Sequence, residues 1–69
     1  MIKLEDILLV AYCDVSIMSN IYPVIVINHN YDTWKHFSRD FLDREVRQID
    51  TYNDRVRVWL KEEVMNKND

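Results

Sequence analysis

Tryptophan, tyrosine and arginine are the residue types that carry most binding energy at interfaces, and they crowd into the last third of this 69-residue chain at Tyr52, Arg55, Arg57 and Trp59. Arg55, Arg57 and Trp59 alternate with Val56, Val58 and Leu60, a period that places the two sets on opposite faces of a strand. If residues 46–52 pair with this strand, Gln48, Asp50 and Tyr52 join the polar and aromatic face. Asp50 would then lie across from Arg57, and an arginine would stack on Trp59, ordering the patch in advance. The chemistry of such a face is recognition of another protein, with a homodimer as its simplest form. The structural alternative is that Trp59 lies flat on its own sheet under the arginine side chains, or under the C-terminal tail.

Two further chemistries can be weighed against this one. His29, His36, Cys13 and Asp32 could serve a metal or an acid–base reaction. The histidines stand seven residues apart, a spacing of no tight ligand set, and Asp32 with His36 is an i, i+4 pair that supports a helix without any catalytic role. His36, beside Trp34 and Phe37, suits the boundary of a helix. No metal and no cofactor is implied. Cys13 next to Asp14 lacks the cationic setting of a reactive thiol and reads as a small buried hydrophobe in a reducing, cytoplasmic compartment. Nucleic acid could stack on Tyr52 and Trp59, but the basic residues there are few and Asp50 sits among them.

Composition narrows the classes further. The chain has no glycine, which excludes the standard phosphate-cradling loops, since these need backbone to approach the ligand. One cysteine closes no intramolecular disulfide. No secretory or membrane-spanning segment is evident. The net charge of −3 is uneven: −3 over residues 1–34, +2 over 35–61 and −2 over 62–69. No basic run marks a nucleic-acid binder. With 48% apolar residues, 1–61 should form one small domain, followed by a frayed polar tail over 62–69 of which only Val64 and Met65 could dock back on the core.

The elements that must position the face follow from periodicity. Leu4, Ile7, Leu8 and Ala11 mark one side of an amphipathic helix of two and a half turns, with Glu5 and Asp6 near its positive end and Asp14 the nearest residue to terminate it. Val15 and Ile17 predict a short strand. Val24-Ile25-Val26-Ile27 predicts a second strand, apolar on both faces and central, with Pro23 at its very start because proline cannot donate to a ladder. Asn20, Asn28, Asn30, Asn53 and Asp54 stand where a chain without glycine must turn. Asp32 or Thr33 could cap a helix carrying Tyr31, Trp34, Phe37 and Phe41, with a kink near Ser38 to Asp40.

Asn53-Asp54 predicts a two-residue hairpin turn. Counting back pairs Tyr52 with Arg55, Asp50 with Arg57, Ile49 with Val58 and Gln48 with Trp59. A regular ladder would next set Arg47 against Leu60 on the core face. One extra residue near Arg47–Gln48 brings Val46 opposite Leu60 instead, so a β-bulge is predicted there. The competing reading is a helix through 44–52, since Val46, Ile49 and Tyr52 also recur every three residues. The expected fold is α+β in the order α-β-β-α-β-β, a four-stranded, mainly antiparallel sheet with the helices on one face.

Leu42-Asp43-Arg44-Glu45-Val46, with Ile49, Tyr52, Asp54 and the alternating Val56, Val58 and Leu60, resembles a loose group of short proteins encoded by phages and mobile elements of Firmicutes. The N-terminal helix and Asp14-Val15 are compatible with it. The resemblance covers residues 3–18 and 42–60 and implies a small intracellular accessory protein, some of which inhibit host defence systems by binding. Residues 23–41 match nothing in that group. The expectation is a non-enzymatic protein-binding domain acting through Trp59, Arg57, Arg55, Tyr52 and Gln48. The alternative is a homo-oligomer that encloses a small molecule or nucleotide signal, with Arg55 and Arg57 on phosphate and Trp59 on a base. A third is a small hydrolase-like enzyme using His29 and His36.

Overall fold

The glycine-free turns are made by side chains that tolerate left-handed backbone. In a computed structural model describing residues 1–29 and 33–62, positive φ occurs among the described residues at Asn20 (57°), Asn53 (52°) and Asp54 (62°). Left-handed backbone at both Asn53 and Asp54 is what a twisted two-residue hairpin requires. Asn28 turns without it, and Asn30 lies outside the described residues.

These turns join helix α1 (Leu4–Val10), strands β1 (Val15–Ser19) and β2 (Tyr22–Ile27), a 3₁₀ turn (Thr33–His36), helix α2 (Arg39–Leu42), and strands β3 (Val46–Tyr52) and β4 (Arg55–Leu60). The strands form one sheet in the order β2-β1-β4-β3. Both hairpins are antiparallel, and β1 joins them by running parallel to β4, Val15 beside Val56 through Met18 beside Trp59. The chain is therefore the expected α+β domain with helices on one face. Residues 46–52 are strand and none of 44–52 is helical, because alternation and the turn outweigh a three-residue recurrence.

The β3–β4 register is the one read from the sequence. Tyr52 pairs with Arg55, Asp50 with Arg57, Ile49 with Val58, Gln48 with Trp59 and Val46 with Leu60, with the shift between Val46 and Gln48. The bulge keeps Val46 against the core and lets the Arg47 guanidinium reach the Leu60 carbonyl (3.3 Å).

The core lies between this sheet and the helical elements. Leu4 and Leu8 of α1, Trp34 of the 3₁₀ turn and Leu42 of α2 pack on Val15, Ile17, Ile27, Val58 and Leu60. Arg39 ties the helices together by reaching Glu5, with Asp43 beside it.

Three expectations are corrected. The strand buried on both faces is β1, not Val24–Ile27: Val15, Ser16, Ile17 and Met18 are all buried, whereas β2 is an edge strand with Val26 exposed. Pro23 sits second in β2 beside a register shift, where an edge tolerates a missing donor. The helix expected up to Phe41 is two pieces, because Ser38 is extended (ψ 152°) and its hydroxyl accepts the Phe41 N–H (3.2 Å), starting α2 afresh. That break falls where the kink was expected, while Tyr31 and Asp32 lie outside the described residues, as do Val64 and Met65. Helix α1 ends at Ala11 rather than at Asp14, whose carboxylate is engaged elsewhere.

Candidate functional site

On the sheet face away from the helices, alternation along β3 and β4 brings together the side chains singled out by type. Arg57 lies between two rings, its guanidinium carbon 4.7 Å from the Tyr52 centroid and 5.2 Å from that of Trp59. Its Nε donates to Asp50 Oδ1 (2.8 Å) and its terminal nitrogen to Asp50 Oδ2 (2.6 Å). This fork-on-fork contact holds the guanidinium in one plane, which is also the plane that stacks on an aromatic ring. The same bonds hold the Asp50 carboxyl below its ordinary range and raise Arg57 further.

Trp59 differs from an exposed anchor. Only 7% exposed, it donates its indole N–H to the Asn20 carbonyl (2.6 Å) and sits beside the buried Met18. It is the platform beneath Arg57 rather than a surface in its own right. Tyr52, 56% exposed, and Gln48 remain accessible, and Arg55 is half-buried at the hairpin end of the same face. The structure thus groups all five residues and ranks them: Tyr52, Arg57, Arg55 and Gln48 face outward over a Trp59 that is internally satisfied.

The second cluster is one that sequence spacing hid. His29, at the end of β2, meets Asp14, at the start of β1, because the hairpin closes there. The His29 backbone N–H reaches Asp14 Oδ1 at 3.2 Å and its Nδ1 lies 3.3 Å from the same oxygen. The backbone bond first, then the ring, hold the Asp14 carboxyl below its usual value, with Arg55 adding a more distant pull. The pair borders an open cleft of about 730 Å³ that Tyr12, Cys13, Tyr52 and Arg55 also line. With Nδ1 turned to the carboxylate, Nε2 is the imidazole atom left for other contacts. Cys13 is half-buried at this cleft rather than in the core. His36 lies exposed in the 3₁₀ turn and does not line the cleft. The two histidines are therefore not one site, and no group of three His, Cys, Asp or Glu able to hold a metal occurs among the described residues. The β1–β2 register, Val15 opposite Ile27, is what sets 14 and 29 side by side at the open end of the hairpin.

Among the described residues no helix is long and apolar enough to cross a membrane. Comparisons with family models, with curated proteins and with solved structures find no match for this chain.

Proposed function

We propose that this chain is a non-enzymatic binding domain that holds a protein partner on the open face of its sheet. Tyr52, Arg57, Arg55 and Gln48 make the contacts and Trp59 supports them from below. One observation carries the reading. Arg57, forked onto Asp50 and stacked between Tyr52 and Trp59, is a guanidinium ordered before any partner arrives. Ordering an arginine on binding costs about 0.5–1.5 kcal/mol, a cost that this arrangement removes in advance. In line with its resemblance to phage-encoded accessory proteins, the domain acts in the cytoplasm as an inhibitor of a host defence protein, and it self-associates as a homodimer. A single unpaired cysteine suits that compartment.

The test is affinity capture from bacterial host lysate with the wild-type chain, Tyr52→Ala and Arg57→Ala, each checked for an unchanged circular dichroism spectrum. A partner held by the wild type should drop at least about tenfold in both variants, the loss of one interfacial contact worth roughly 1.4 kcal/mol. Undiminished capture by both variants would move the interface elsewhere.

A second reading is favoured by the cleft at the hairpin end, where Arg55 and His29 stand beside the exposed rings of Tyr12 and Tyr52. There the domain would hold a small anionic molecule such as a nucleotide signal. Arg57 serves this reading less well, since both of its bonded nitrogens are on Asp50. An absorbance band near that of nucleobases in the purified protein, lost in Arg55→Ala, would favour it.

A further inference from the structure

The two edges of the sheet are built differently. Edge β3 is guarded: Arg47 and Asp50 put charge on it, its bulge interrupts the ladder, and the N-terminal segment closes its start. Lys3 bridges Glu45 there, the Val46 N–H donates to the Ile2 carbonyl (2.8 Å) and the Leu4 N–H to that of Arg44 (2.9 Å). Edge β2 carries no charge and no covering segment among the described residues, and its one irregularity, the register shift beside Pro23, lies at its start. No charged residue lies between Asp14 and His29, and Pro23 guards only the start of the strand. From Val24 to Ile27 the edge is a β-branched run whose outward backbone groups have no partner among the described residues. Proteins that stay monomeric protect such an edge with lysine, proline or a bulge.

We infer that β2 is where two copies of this chain join, pairing antiparallel edge to edge so that two four-stranded sheets become one of eight strands. This deepens the homodimer part of the proposed function and rests on it, independently of the Tyr52–Arg57 face. The unfilled backbone groups call for an extended strand. The occupant is a second copy because a two-fold contact must complement itself, and an uncharged β-branched strand sets no like charges against each other. A two-fold axis through Val26 places Val26 opposite Val26 of the second copy and Ile25 opposite Ile27. Every side chain then keeps the face it already occupies. Val26, 54% exposed, becomes covered on the outer side. On the helix side the second strand meets a groove of about 500 Å³ lined by Ile25, Phe37 and Phe41 together with Ser38, Asp40 and Arg44.

Light scattering of the full chain across a concentration series tests this, with Val26→Lys on β2 and Ile49→Lys on the guarded edge. The expected result is a dimer for the wild type and Ile49→Lys, and half that mass for Val26→Lys with an unchanged circular dichroism spectrum. A wild type that is monomeric throughout overturns both this edge and the homodimer. A Val26→Lys dimer overturns the edge alone. Should Val26→Lys unfold, oxidation decides: Val26→Cys in a Cys13→Ser background should form a disulfide-linked dimer. Ile49→Cys in that background should not, and cross-linking of both to the same extent, or of neither, overturns the edge pairing.

Discussion

The indole nitrogen of Trp59 donates to the carbonyl oxygen of Asn20 at 2.6 Å, so a side chain from the end of β4 is bolted to the left-handed turn between β1 and β2. The bond crosses the parallel junction where the two hairpins meet, and it turns an apparent binding residue into a structural one.

Trp59→Phe keeps an aromatic ring of smaller area and leaves the Asn20 carbonyl without this donor, and should cost about 1–3 kcal/mol. Trp59→Ala also opens a cavity beside Met18 and should cost roughly 3–5 kcal/mol, a large share of the stability of so small a domain. Urea denaturation of the two variants measures the split. Equal midpoints for Trp59→Phe and wild type would mean that the hydrogen bond contributes nothing.

Acid should weaken the fold through two carboxyls. Hydrogen bonds from Arg57 lower Asp50, and the backbone N–H and ring of His29 lower Asp14, both below the ordinary 3.8. A depressed folded pKa contributes stability that is complete above the unfolded value and is lost as pH falls through the folded one. The contribution of these carboxyl ionisations should thus be complete well above 3.8, begin to fall about one unit above it and decline further below it. Denaturant midpoints taken down that range should fall more gently in Asp50→Asn, which no longer titrates there.

The hairpin turn stores a small strain. Asp54 is left-handed at φ 62°, a conformation that costs a residue with a Cβ about 1 kcal/mol and glycine nearly nothing. Asp54→Gly should raise stability by roughly 0.5 kcal/mol, the added chain entropy of glycine in the unfolded state taking back part of the gain. Thermal denaturation reads it, and a lowered midpoint would assign Asp54 a role beyond the turn.

Ser16 is 1% exposed in β1, and its hydroxyl has no hydrogen-bond partner among the described residues. Removing a buried polar group of this kind should be neutral or stabilising by up to about 1 kcal/mol in Ser16→Ala. A loss above that range, measured by urea titration, would show that the hydroxyl makes a bond in solution.

Much of the hairpin was legible because its determinants are local. Asn53-Asp54 sets the turn, alternation from Val56 to Leu60 sets the faces, and Arg47 opposite Leu60 is intolerable enough to force the bulge. The Asp50–Arg57–Trp59 stack followed from that register. The Asp14–His29 pair did not, since fifteen positions separate its members and only hairpin closure makes them neighbours.

Alternation in the sequence by itself determined which side chains share a face of each strand, for a two-residue period is a property of one chain segment. It could not decide which strands are neighbours, because ladder bonds are made by backbone groups that every residue carries alike. An unbroken β-branched run made Val24–Ile27 look central. The tertiary structure gave the central place to β1, whose Ser16 and Met18 are buried only because Arg57 and Trp59 lie alongside in parallel, and left the more apolar strand at the edge.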